Sequence, residues 1–304
     1  MKKTRLTIIL LMILTLVSAI ITLCMGAVRI PVQDTLSILL RHLFGTDTGT
    51  SVSVAFEQIV WQIRMPRIIL GFLTGSGLAL CGCVMQAVVQ NPMADPYILG
   101  VSAGATLGAT GSLFLGLGVI SGFWAFVGAG GACFLVLALS SADGKTTSVK
   151  LILSGMIVNA LLTAFSNFII AVAGDSDGMM SIKFWTMGSL TRAGWKNIGP
   201  ITLIVLAAAV FFRTQAQTLD GLMLGEEAAS TIGINTFRCR LVYLLVLSVL
   251  TGALVSVCGT IGFVGSSSRM FPAPLPAQPT ENYCRSRRYP ADCSCSGWMP
   301  SPAV

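Results

Sequence analysis

The sequence predicts an all-α, polytopic membrane helix bundle. Of its 304 residues, 54% are hydrophobic and 10% charged, well under half the roughly 25% charge of soluble domains. Mean hydropathy is +0.82. Apolar runs of about 18 residues recur along the chain, which one buried helix in a soluble core would not produce. The net charge of +7 points to loops flanking membrane spans rather than to nucleic acid, because basic residues there set orientation.

Seven spans are expected, near 6–27, 67–89, 96–110, 112–139, 149–173, 197–212 and 239–258. The first follows Met1-Lys-Lys-Thr-Arg5 and is longer than the core of a usual signal peptide, so it reads as a membrane helix with its basic end in the cytoplasm. The loops near 90–95, 140–148 and 213–238 then lie inside, and those near 28–66 and 174–196 outside. Lys145, Lys150, Arg213, Arg238 and Arg240 fit that orientation; Lys183, Arg192 and Lys196 do not. Small residues crowd the spans. Gly100, Gly104 and Gly108 recur every fourth position, where they let backbones approach closely.

Chemistry-bearing residues are few. His42 is the only histidine, which leaves metal or histidine-base chemistry almost nothing to use. Cys81 and Cys83 point about 200° apart on a helix and read as small apolar packers. No catalytic residue, metal site or cofactor is expected. Gly144-Lys145-Thr146 resembles the end of a phosphate-binding loop, but the glycine required five residues earlier is Leu139, and a membrane helix rather than a strand precedes it. Any ATP used must bind another subunit.

Three places have a definite physical reading. Gln90-Asn91-Pro92-Met93-Ala94-Asp95-Pro96 breaks the second span: its prolines end one helix and start the next, and Asn or Asp caps freed backbone groups. With Gln86 before it and Gly100 after it, this is the candidate helix break along a pathway. Arg64 and Arg67, three apart at the external edge, make a candidate basic docking patch. In the internal loop 219–235, Gly225 can stop a short helix that carries Leu219, Leu222 and Leu224. Glu226 and Glu227 suit the N-terminus of the next, where the dipole favours acid; Ala228 lies in it and Gly233 ends it. Two such helices would make a rigid knob for another protein to push.

Six segments in order carry a family resemblance: W-Q-I-R-M-P-R at 61–67, Q-N-P-M-A-D-P-Y-I-L-G-V-S-A-G-A at 90–105 and L-I-L-S-G at 151–155. W-T-M-G-S-L at 185–190, L-G-E-E-A-A at 224–229 and G-T-I-G-F-V-G at 259–265 complete the set. Over residues 1–265 the chain resembles the permease subunit of the iron-siderophore, haem and vitamin B12 ABC importers, the FecCD type. The resemblance implies a homodimer with about ten helices per subunit, all α because lipid offers the backbone no other partner within one segment. It implies a pathway at the dimer interface, two cytoplasmic ABC ATPase subunits inside and one solute-binding protein outside. By the same resemblance Arg64 and Arg67 meet acidic residues of the binding protein, and the 219–235 loop fits a groove on the ATPase. The chain is then a multi-pass protein of the bacterial inner membrane, in contact with lipid and with no nucleic acid partner, and is not an enzyme.

After Gly265 the character changes. Residues 266–304 hold seven of the twelve prolines, three of the nine cysteines (Cys284, Cys293 and Cys295) and four arginines, with no apolar span. The family continues G-F-V-G-L-I-V-P-H-x-x-R. Back-translating 266–303 with synonymous codons and reading from each third base can give I-V-P-H-V-S-R, then H-R-K-L-L-P, then D-A-V-A-R. Loss of one base after the Gly265 codon accounts for this. The expectation is a permease domain over 1–265, with about seven spans retained, followed by a non-native, irregular tail over 266–304. Such a chain would lack about three helices, assemble poorly and be inactive, a pseudogene product by descent. A secondary transporter or channel is the alternative. It calls for ionisable residues within the spans, and these spans are nearly free of them.

Overall fold

The computed structural model describes residues 2–45, 52–92, 94–117, 121–141, 147–173, 180, 182 and 184–261. The tail 266–304, Met93, Lys183 and the segment Gly144-Lys145-Thr146 lie outside the described residues.

The described chain is helical and holds no strand. Its long helices are α1 (Lys2–Cys24), α4 (Met65–Val89), α5 (Val101–Phe114), α6 (Ser121–Ser140), α7 (Ser148–Ala173), α8 (Trp195–Thr214) and α11 (Thr236–Cys258). Five of these stand where spans were expected, and α5 and α6 stand later in the chain than the third and fourth expected spans. Five stretches are long and apolar enough to cross a membrane, the 36-residue Val54–Val89 among them. At 14 residues α5 extends only about 21 Å, short of a hydrocarbon core of about 30 Å.

Two expectations need correction. Residues 28–66 are not a plain loop. They fold into α2 (Val32–Phe44), α3 (Val54–Gln58) and a π-helical turn (Ile59–Arg64) that runs straight into α4. α2 forms because Asp34 sits in its first turn, Arg41 and His42 sit in its last, and Gly45 in the left-handed region returns its N–H to the Arg41 carbonyl. Its apolar face buries Ile38 with Leu23, Ile30 and Val60 in a small cluster apart from the main core. The third and fourth spans also divide later than expected. A 3₁₀ turn (Pro96–Leu99) precedes α5, α5 continues to Phe114, and Gly116 at φ 71° turns the chain back towards α6.

α4 and α11 form the centre and run antiparallel. Thr74 Oγ1 lies 3.1 Å from Cys258 Sγ near one end of the pair, and Gly77 faces Leu254. α6 also runs antiparallel to α11, with Gly122 against the Ser256 carbonyl and Cys133 against that of Leu244. α5 lies so close to α6 that a Cβ on Gly104 or Gly108 would overlap the carbonyls of Gly128 or Trp124. Between α8 and α11 lie two short helices, α9 (Ala216–Met223) and α10 (Glu226–Thr231). They and the 90–95 break share one end of the bundle, while α2, α3 and the π turn share the other.

Candidate functional site

The break after α4 is built from side chains that replace missing backbone bonds. Gln90 takes the left-handed conformation (φ 57°) and stops α4. Its Nε2 donates to the Leu222 carbonyl at 2.9 Å. Asn91 accepts the Ala94 N–H through its carbonyl. Asp95 caps the next turn by accepting the Tyr97 N–H at 2.9 Å, and Pro96 opens that turn. Gly100, at φ 68°, ends the turn and starts α5, a geometry that favours glycine. Gln86, one turn before the break, is buried, and its side-chain amide has no hydrogen-bond partner among the described residues.

Four of the motif segments meet around the 3₁₀ turn that follows this break. The Ile98 carbonyl of the 3₁₀ turn sits where Gly155 would carry a Cβ. Tyr97 donates its hydroxyl to the Ile261 carbonyl at 2.6 Å. The Ser189 N–H donates to Cys258 O at 2.7 Å, and the Thr260 hydroxyl donates to Thr186 O. Gly188 and Gly259 pack on each other's strands of backbone. Segments 90–105, 151–155, 185–190 and 259–261 thus meet at backbone carbonyls, and at Gly155, Gly188 and Gly259 a larger side chain would push them apart.

At the same end as Gln90, α9 and α10 form a short helical pair. Leu222 is fully buried and Leu219 half-buried. Gly225 at φ 110° separates the two helices, Glu226 and Glu227 occupy the first turn of α10, Ala228 is half-buried, and Gly233 at φ 85° follows it. Met223, Leu224 and Ile232 are exposed, Leu224 most of all at 67%. They give the pair an apolar tip.

Sequence reasoning used Arg240 only as a basic residue of an inner loop. In the structure its side chain is 2% exposed. Nε donates to the Val88 carbonyl of α4 at 3.2 Å, Nη1 to Glu226 Oε2 of α10 at 3.3 Å, and Nη2 to Ser148 Oγ of α7 at 3.3 Å. An arginine in the second turn of an apolar span was the available signal, since a charge at membrane depth demands a partner.

At the opposite end Arg64 and Arg67 line one cavity of about 560 Å³, with Thr22, Met25, Ile63 and Leu190 among its walls. Arg67 is exposed. Arg64 closes the π turn, and its guanidinium donates to the carbonyls of Leu23 and Val28, tying the end of α1 to α4. Beside them Trp61 stacks on His42 with ring centroids 4.1 Å apart, and its carbonyl accepts Trp195 Nε1 at 3.0 Å. His42 also pairs with Glu57 at 2.8 Å. The arginine spacing was legible in the sequence; the carbonyls that occupy Arg64 were not.

The model of the FecCD transport family matches residues 12–266. The chain belongs to the FecCD transport family. Over 256 residues it is 35% identical to the ABC transporter permease protein YvrB of Bacillus subtilis, covering 82% of this chain and 72% of that one. The hemin transport system permease protein HmuU of Yersinia pestis is 32% identical, covering 84% and 74%. The cobalamin import system permease protein BtuC of Halobacterium salinarum is 39% identical over 69% of this chain and 57% of its own length. Among solved structures, a transporter assigned to the metal-chelate ABC type, in an inward-facing conformation, superposes with a TM-score of 0.69 at 26% identity, covering 84% of this chain and 77% of that one. This FecCD protein is therefore a multi-pass membrane permease of the ABC importer class and not an enzyme.

Proposed function

We propose that this FecCD chain is the membrane-spanning subunit of an ATP-driven importer for an iron-siderophore, haem or cobalamin-type chelate. Iron-siderophore is the first choice among these. A second copy completes the pathway, two ABC ATPase subunits bind on the cytoplasmic side, and a solute-binding protein delivers cargo from outside. The inner membrane holds it with the N-terminus in the cytoplasm, so the α9–α10 end is cytoplasmic and the Arg64 and Arg67 end is external. The exposed apolar tip of Met223, Leu224 and Ile232 on a paired helix, inside a family of ABC permeases, carries this reading. Exposed leucine and methionine at a membrane protein's aqueous end fit a groove on a soluble partner. Movement of that pair on ATP binding would switch the cavity from outward to inward access. The break residues Gln86, Gln90, Asn91, Pro92, Pro96 and Gly100 would border the path.

The same proposal holds that residues 266–304 are read in a shifted frame and that 1–265 carries the permease domain. A family match running to residue 266 supports this. Resequencing the codons for Gly259 to Met270 tests it directly. Reconstitution in proteoliposomes with the ATPase and binding protein tests the function. ATP-dependent uptake of one chelate by a frame-restored chain, and none by the 304-residue chain, is the expected result. Uptake by the 304-residue chain would overturn the frame proposal. Ion-gradient-driven uptake without an ATPase would instead favour a secondary transporter.

A further inference from the structure

The Val88 carbonyl needs an outside donor for a reason written in the sequence. In a continuing helix it would accept the N–H of residue 92. Residue 92 is proline and has none. The last carbonyls of a helix also carry its negative dipole end, which favours a cation. Arg240 supplies both: a buried guanidinium whose Nε donates to that carbonyl at 3.2 Å. Two further donors leave in other directions, Nη1 to Glu226 of α10 and Nη2 to Ser148 of α7. A second link runs parallel to it, from Gln90 Nε2 at the same break to Leu222 of α9.

We propose that Arg240 is a positioning residue that makes the α9–α10 pair, the end of α4 and the start of α7 one mechanical unit. Displacement of α9–α10 then carries the α4 break with it. Arginine suits this place because its planar fork presents five donors in fixed directions, whereas a lysine ammonium is a point charge that cannot hold three separated acceptors at this reach. The use assigned to this unit, passing on the push of an ATPase, rests on the permease reading given above.

The test is hydrogen exchange of the full chain in detergent, wild type against Arg240→Lys and Glu226→Gln. In Arg240→Lys, amides of 216–231 and of the first turn of α7 should exchange at least about tenfold faster, the loss expected for charge-assisted hydrogen bonds. Amides of α5 and α6 should stay unchanged and serve as the folding control. Glu226→Gln, which keeps the side chain's shape, should loosen α10 alone. Unchanged exchange across 216–231 in Arg240→Lys overturns the proposal, and so does equal loosening of every helix. A second readout separates transmission from simple support. With an ABC ATPase bound to the frame-restored chain, ATP should alter exchange in the last turn of α4 when residue 240 is arginine and not in Arg240→Lys; the same response in both overturns it. A frame-restored chain with Arg240 intact that captures no ABC ATPase sinks the permease reading instead, while the first comparison still stands or falls alone.

Discussion

Two contacts in this bundle are made in opposite ways. α5 meets α6 with almost no side chain between them, glycine against carbonyl at Gly104, Gly108 and Gly128. The ends of α4, α7 and α10 meet through one long charged side chain, Arg240. The first contact tolerates no added atom, and the second tolerates no removed one. Membrane helices have no water-driven force to press them together, so close van der Waals approach and buried hydrogen bonds are the two available means. The chain uses the first between α5 and α6. It uses the second where segments of different helices have to be held across a break.

Added atoms should disrupt the first contact. Gly108→Leu forces a side chain into the Trp124 carbonyl, and a loss of about 3 kcal/mol or more is expected, since overpacked sites seldom relax against backbone. Size-exclusion of the detergent-solubilised protein should show little monodisperse material; a normal profile would mean that α5 and α6 can separate cheaply. Gly155→Ala is the next largest. Its methyl meets the Ile98 carbonyl, and destabilisation of about 1–3 kcal/mol should appear as a lowered Tm, with the 3₁₀ turn at 96–99 losing exchange protection first.

The second contact is sharpened at Gln90, where a side-chain bond and a backbone cost oppose each other. Gln90→Leu removes the bond to Leu222 and keeps the left-handed backbone, so about 1 kcal/mol should be lost. Gln90→Gly loses the same bond but relieves a left-handed cost of about 1–2 kcal/mol. It should unfold close to the wild-type temperature. A large drop for both would place the value of Gln90 in something other than that bond. The smallest effect is expected at Gly130 of α6, where an added Cβ would meet no described atom within 4 Å beyond its own stretch of helix. Gly130→Ala should raise stability by about 0.5–1 kcal/mol, and a loss there would mean that the α5–α6 rule extends to glycines with open space beside them.

Similar hydropathy does not give similar surroundings. α7 and α11 are both strongly apolar, yet the most apolar window of α11 is 61% buried and that of α7 only 22%. Leu153, Met156, Ile157, Leu161, Phe165 and Phe168 lie exposed along α7. Nothing in the local sequence separates the two, because lipid and protein interior ask for the same side chains. Periodicity fails for the same reason that hydropathy succeeds.

What the sequence alone determined is the order and approximate place of the long apolar helices, because each span must satisfy its own backbone within the membrane and so writes its length into its composition. It also determined the break at 90–96 and the split of α9 from α10, since proline and glycine act within a few residues of themselves. The tertiary structure decided the rest. It folded 32–64 into helices whose amphipathic face finds Leu23 and Val60. It gave Arg64 to the carbonyls of Leu23 and Val28 rather than to solvent alone. It brought Arg240 to a carbonyl 152 residues earlier in the chain. A lone residue declares its charge in the sequence, but the acceptor that balances it belongs to another helix, and only packing chooses which one.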